Sequence, residues 1–240
     1  MRTPWAIAWT AVRAATAVYI GAAVITQLSR SIASAQEHGW DITTVVTNFF
    51  SYFTILSNVV AAIVLAWAVV WFWMRGGTDA SEPPALATAL ASATTYMIIT
   101  GIVYNTLLRD LDVTSGTEVS PWTNVAMHVI GPIILAADLL VGPKRRALPW
   151  SSVWLVLAVP IVWVVYTMIR GPLIVTPATG TPYWYPYPFL NPHLQPDGYV
   201  GVLGWVLIIS AMFVAVGFLV VWIGRRRGTV ARPVTPELDA

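Results

Sequence analysis

The sequence predicts an all-α integral membrane protein that crosses the bilayer six times, and three observations carry this prediction. Of the 240 residues, 57% are hydrophobic and only 10% are charged, whereas soluble domains carry about 25% charged residues. The apolar residues form six runs, each close to the roughly 20 residues that a helix needs to cross the hydrocarbon core. Lysine and arginine concentrate in alternate connections, which predicts that both termini are cytoplasmic.

The composition also indicates which cofactors and binding partners to expect. The chain has no cysteine, and its three histidines are widely separated in sequence, so neither a disulfide nor a metal motif is indicated. We therefore expect no cofactor and no metal. Membrane orientation explains the net charge of +2 better than nucleic-acid binding does. The expected partners are the lipids of a cell membrane.

The first expected span covers residues 5–28 and contains Arg13, and a polar loop over residues 29–47 follows it. A cleaved signal peptide is the alternative, because Ala33-Ser34-Ala35 resembles a small-residue cleavage site. A retained helix is preferred, since the run is long for a signal. The other spans are expected at residues 48–74, 85–108, 122–141, 150–169 and 201–223, within one membrane domain over 1–224 and before a basic, disordered tail over 225–240.

The second expected span has an unusually polar first half. Ser51, Thr54 and Asn58 lie at positions i, i+3 and i+7, so on one continuous helix they share a face. A polar face of a membrane helix should look into the bundle and away from lipid.

The fourth expected span begins with a favourable helix start, Ser120 before Pro121, and it contains His128. An ionisable side chain inside a membrane is a functional hypothesis by default. Pro132 has no N–H for the carbonyl of His128, which predicts a kink and a free acceptor beside the ring. The alternative is a histidine that only hydrogen-bonds a neighbouring helix.

The longest connection, residues 170–200, contains a segment in which aromatic residues alternate with prolines. We call residues 182–193, which begin Pro-Tyr-Trp-Tyr-Pro-Tyr-Pro-Phe, the aromatic–proline loop. One interpretation is an interfacial aromatic belt stiffened by proline. The other is a lid over the mouth of the bundle.

Orientation follows from the cations beside the spans. With the amino terminus inside, the outer loops contain only Arg30, Arg109 and Arg170. The inner segments then contain nine cations: Arg2, Arg75, Lys144, Arg145, Arg146, Arg225, Arg226, Arg227 and Arg232.

In this topology the second and fourth spans both enter from the outer face. Thr54 and His128 lie about five or six residues in, or roughly 8 Å deep. A hydroxyl needs a base to become a nucleophile at neutral pH, and histidine can serve. Asn124 and Asn58 are candidates to orient the ring or to donate to an oxyanion. The alternative for Thr54 is a hydrogen bond to the carbonyl one turn back.

The segments Ser51 to Asn58 and Trp122 to His128, together with the aromatic–proline loop, resemble the bacterial six-helix branch of the androgen-induced and androgen-dependent TFPI-regulating membrane proteins. The likeness extends over most of the chain. Animal members of that superfamily are intramembrane threonine hydrolases that cleave fatty acid esters of hydroxy fatty acids with one threonine and one histidine. The resemblance implies Thr54 as nucleophile and His128 as base.

Two further charges lie inside expected spans. Arg13 and Asp138 fall in the same leaflet, and an ion pair between them is the expected structural account. The alternative is a proton path from Asp138 to His128, but ten residues separate them, roughly 15 Å along a helix.

The leading hypothesis is therefore a membrane hydrolase of lipid esters that acts from the outer leaflet. The competing hypothesis is a non-enzymatic transporter or small-ligand binder with the same polar pocket.

Overall fold

A computed structural model describes residues 3–75, 81–111 and 119–228. Within these ranges the chain is helical without strands, and six helices are long and apolar enough to cross a membrane. The prediction of a six-span, all-α membrane protein is therefore confirmed. The spans are Pro4–His38, Phe53–Arg75, Pro84–Leu108, Pro121–Val141, Ser152–Leu173 and Tyr199–Arg227.

The prediction of a polar loop over residues 29–47 is wrong. The first helix continues to His38, where Gly39 ends it in a left-handed conformation with φ of 68°. A second, short helix, Ile42–Ser51, follows. Asp41 caps its start, because the Asp41 carboxylate accepts a hydrogen bond from the Thr44 N–H at 2.6 Å. Side chains such as Ser29 hydrogen-bond carbonyls of their own helix. The polar residues after residue 28 therefore belong to a helix that continues beyond the apolar part of the span.

The second span begins later than expected. Tyr52 has an extended conformation and separates Ser51, the last residue of the short helix, from Phe53, the first of the span. Ser51 therefore does not share a continuous helix face with Thr54 and Asn58, and that part of the prediction is wrong. Thr54 becomes a residue of the first helical turn.

The third and fourth spans each contain a π-helical segment, Tyr104–Leu108 and Ala126–Ile130. Pro132 lies just after the second one, and the carbonyl of His128 accepts a hydrogen bond from Asn105 Nδ2 at 3.2 Å. The acceptor that proline leaves without its helical donor is thus satisfied by the neighbouring span. The two spans also pack closely, since a Cβ on Gly101 would lie 3.0 Å from Cβ of Pro132.

One end of the bundle holds the start of the first span and the end of the sixth, and we call it the basic end. Here Arg13 Nε lies 2.7 Å from Asp138 Oδ1, so the expected ion pair is present, and Arg145 Nη2 lies 2.6 Å from Oδ2. Glu82 joins the cluster at 3.3 Å from Arg13. Burial raises the pKa of Glu82. Among the described residues no hydrogen bond links Asp138 to His128.

The sixth span extends beyond its expected end at residue 223. Arg225 and Arg227 belong to the helix and donate hydrogen bonds to the carbonyls of Leu148 and Leu139, both at 2.7 Å. The first residues assigned to a disordered tail are therefore helical. The rest of that predicted tail, residues 229–240, lies outside the described residues.

Candidate functional site

A cavity of about 210 Å³ opens at the end of the bundle opposite the basic end. Residues of the first, second, third and fourth spans and of the aromatic–proline loop line it. Thr54 and His128 both belong to its wall, as does Asn124, whereas Asn58 and Ser51 do not. Three of the five predicted pocket residues thus meet in one cavity.

Thr54 is held by a tyrosine of the aromatic–proline loop. The hydroxyl of Tyr187 accepts a hydrogen bond from the Thr54 backbone N–H at 3.1 Å and lies 3.2 Å from Thr54 Oγ1. The amides of a first helical turn lack intrahelical acceptors, so the phenol fills this need. Since it accepts from the N–H, its own proton is available to Oγ1.

The threonine hydroxyl is thus not bound to its own helix, as the alternative for Thr54 supposed. It is not bound to His128 either: within the described ranges Tyr187 is its only hydrogen-bond partner. The two predicted catalytic side chains share a cavity without touching through a hydrogen bond.

His128 is fixed by two contacts. Its Nδ1 lies 3.0 Å from the carbonyl of Asn124, and its ring stacks on Tyr104 with centroids 3.7 Å apart and planes at 22°. A carbonyl oxygen can only accept, so Nδ1 carries the hydrogen, and in the neutral ring Nε2 is left as the acceptor. That is the tautomer a general base requires.

Asn124 contributes to the site twice. Its carbonyl sets the tautomer of His128, and its side-chain Nδ2 donates a hydrogen bond to the hydroxyl of Tyr104. The predicted orienting role of Asn124 therefore has a geometric basis, although it acts through the backbone.

Asn58 has a different position from the one expected. Its Nδ2 donates to the carbonyls of Thr54 at 2.8 Å and Met127 at 3.3 Å. Because these carbonyls belong to the second and fourth spans, Asn58 ties together the two helices that carry Thr54 and His128. Its amide nitrogen is already engaged by two acceptors and does not face the cavity.

Ser51 also lies outside the cavity. Its hydroxyl is within 2.7 Å of the Thr47 carbonyl and 3.0 Å of the Tyr166 hydroxyl. Its own carbonyl accepts from Trp163 at 2.9 Å. These bonds fasten the end of the short helix to the fifth span.

The aromatic–proline loop forms one side of the cavity. Trp184 and Tyr187 are only 4% and 6% exposed, so the loop packs inward and is not simply an interfacial belt. Burial raises the pKa of Tyr187, which keeps its phenol protonated. Arg170 links this loop to the short helix, because it lies over the Trp184 ring at 5.3 Å and donates to Asn48 Oδ1 at 2.7 Å.

A second cavity, of about 180 Å³, lies on the far side of Thr54. Thr54, Tyr104, Leu108 and Tyr187 line both cavities. Sequence reasoning found neither Tyr104 nor Tyr187, because both act through contacts with residues distant in the chain. The available signal was the placement of Tyr104 near the end of an expected span and of Tyr187 in an unusual loop.

Among residues 3–75, 81–111 and 119–228, no three acidic or histidine side chains gather as a metal site would require. Comparison with known proteins adds no assignment: no family model, curated protein or solved structure matches the chain.

Proposed function

We propose that the protein is an intramembrane hydrolase of lipid esters, with Thr54 as nucleophile and His128 as general base. The observation that supports this proposal is the convergence of the two side chains, from the second and fourth spans, on one largely apolar cavity. The tautomer of His128 agrees with it, since Nε2 is free of the Asn124 carbonyl. The family resemblance described above leads to the same pair of residues.

In this mechanism Thr54 Oγ1 attacks the ester carbonyl while Nε2 of His128 takes its proton. Collapse of the tetrahedral intermediate expels the alcohol, which receives that proton from His128. Water, activated by the same nitrogen, then hydrolyses the acyl-threonine. The first step requires the Thr54 hydroxyl to leave Tyr187 and to reach Nε2 of His128.

The proposal places the reaction in the outer leaflet of the cell membrane, with both termini in the cytoplasm. The cations that cluster at the basic end support this orientation. The cavity would then open on the outer side, at the level where ester groups of lipids lie.

A second candidate is a membrane protein that binds a lipid or small ligand without cleaving it. The contact of the Thr54 hydroxyl with Tyr187, and not with His128, favours this alternative. In it, the same hydroxyls and Asn124 would serve only as hydrogen-bond partners of the ligand.

Labelling with a fluorophosphonate probe, combined with hydrolysis assays on a panel of lipid esters, separates the two candidates. We expect the purified protein to be labelled and to release fatty acid, and Thr54→Ala to abolish both. His128→Ala should lower the rate by roughly 10²–10⁴-fold, the usual contribution of a general base.

Thr47→Ala is the matched control, because Thr47 is an exposed threonine of the neighbouring helix whose hydroxyl bonds the Thr43 carbonyl at 2.7 Å. It should retain full labelling and activity. A protein that is folded but neither labelled nor active on any ester would refute the hydrolase and leave the binder.

A further inference from the structure

The second cavity lies between the third, fifth and sixth spans. It meets the first cavity, which contains Thr54 and His128, at a common wall. Thr54, Tyr104 and Tyr187 form that wall. A ligand with its reacting group at Thr54 therefore has space on two sides, one with polar side chains and one almost without them.

The second cavity offers few polar partners. The described residues that line it include no charged side chain, and four of its five hydroxyls are already engaged, while the fifth belongs to Ser210, an exposed residue of the sixth span. Thr54 and Tyr187 bond each other, Thr100 bonds Ser57 at 2.9 Å, and Tyr104 accepts from Asn124. A buried water needs two to four polar partners, so this space should be dry.

The cavity faces lipid through the fifth and sixth spans. Ile161 of the fifth span is 57% exposed and Val214 of the sixth is 36% exposed, and both line it. Pro160 adds an apolar ring to the same wall. At this depth the side chains at the opening meet the hydrocarbon of the bilayer, so a chain can enter sideways without crossing water.

Its size suits part of a hydrocarbon chain. Apolar cavities of about 150 Å³ stay dry and take up small hydrocarbons, and this one measures about 180 Å³. It therefore accommodates several methylene groups, while the remainder of a longer chain would extend through the opening into the bilayer.

We infer that the second cavity is a binding site for a hydrocarbon chain, which enters between the fifth and sixth spans and places the group that it carries at Thr54. The inference rests on the proposed function only in assigning that group as an ester. The chain site itself exists for an enzyme and for a binder alike.

The test uses a sixteen-carbon fatty amide with a diazirine on a chain carbon close to the amide, where the chain occupies the cavity, and the proposed hydrolysis would not consume it. After irradiation of the full-length protein in lipid nanodiscs, mass spectrometry locates the crosslinks. We expect saturable crosslinks on buried lining residues such as Leu157 and Phe213, and their suppression by an excess of unlabelled amide. Crosslinks confined to lipid-facing residues, without saturation, would overturn the inference.

Two variants fill the cavity from opposite walls, Val206→Trp and Val164→Phe. Each should reduce saturable crosslinking by about tenfold or more, because a ligand that can no longer bury two of its methylene groups binds more weakly by about this factor. Leu207→Trp is the matched control, since Leu207 adjoins Val206 but is 62% exposed, and it should leave crosslinking unchanged. Unchanged crosslinking in both filled variants would also refute the site.

The outcomes separate this inference from the proposed function. Saturable crosslinks in the cavity, with no hydrolysis of any ester, would support the chain site and remove the hydrolase. Ester hydrolysis that depends on Thr54, with crosslinks elsewhere, would do the reverse.

Discussion

Tyr187 satisfies two groups of Thr54 at once, the backbone N–H and the side-chain hydroxyl. The Thr54 N–H is part-buried, so the loss of its acceptor would leave a polar group incompletely satisfied, at a cost in stability. The same phenol also separates the two cavities. One side chain of the aromatic–proline loop therefore controls the local stability of the second span and the surroundings of the candidate nucleophile.

Tyr187→Phe should lower the free energy of unfolding by about 1–3 kcal/mol, because the ring remains while the Thr54 N–H loses its acceptor. The measurement is chemical or thermal denaturation of the purified protein in detergent, followed by tryptophan fluorescence.

Tyr185→Phe provides the control for this loss. In the part of the chain that the structure describes, the Tyr185 hydroxyl has one hydrogen-bond contact, an exposed one with Tyr199 at 3.5 Å, so its removal should change stability by less than about 0.5 kcal/mol. Equal effects of the two substitutions would contradict the special position of Tyr187.

At the level of elements, the charged cluster joins three parts of the chain. Asp138 of the fourth span receives hydrogen bonds from Trp9 at 2.5 Å, Arg13 at 2.7 Å and Arg145 at 2.6 Å. Arg13 also lies beside Glu82, just before the third span. These buried charges are stable only together, because each alone would lack both water and a counter-ion.

Asp138→Asn keeps the shape of the side chain but leaves Arg13 and Arg145 without their main counter-ion. We expect a loss of about 3–5 kcal/mol in the free energy of unfolding, typical of a broken buried ion pair. Denaturation in detergent measures it, with Asp197→Asn, in the exposed part of the long loop, as control. A loss below about 1 kcal/mol would show that the cluster is unimportant for stability.

Sequence patterns predicted the apolar spans well and the helical segments between them poorly. Hydropathy identifies a run such as Phe53–Arg75, because lipid exposure demands apolar residues on most faces. The helix from Ile42 to Ser51 has no such constraint: it packs on the bundle and is capped by Asp41. It is apolar, but its 10 residues are too few to cross a membrane, and the break at Tyr52 depends on contacts that periodicity does not reveal.

For the molecule as a whole, the convergence of Thr54 and His128 depends on which spans are neighbours. The expected equal depth rested on span boundaries that the structure changes, since Thr54 is the second residue of its span and His128 the eighth. Adjacency was not predictable from the sequence, because no repeat or short motif encodes it. Asn58 explains the adjacency physically, since it bonds carbonyls of both helices. The aromatic–proline loop allowed the interpretation of a lid, but its pattern did not identify Tyr187 as the partner of Thr54, because 133 residues separate the two.

The orientation of the whole bundle also follows from residues far apart in the chain. The basic end gathers exposed Arg75, Arg225, Arg226 and Arg227, and the opposite end exposes Arg30 and Arg109. Arg145 is paired with Asp138 within the bundle. Even if Arg145 is not counted, the basic end has more exposed cations than the opposite end. The positive-inside tendency therefore predicts that this end is cytoplasmic.

Because the chain has no cysteine, single introduced cysteines report orientation without background. Glu37→Cys lies at the exposed end of the first span and Arg226→Cys at the exposed end of the sixth. A membrane-impermeant maleimide applied to intact cells should label the first and not the second, and permeabilisation should make both reactive. Labelling of Arg226→Cys alone in intact cells would invert the orientation and place the Thr54 cavity on the cytoplasmic side. An ester substrate would then have to come from the inner leaflet.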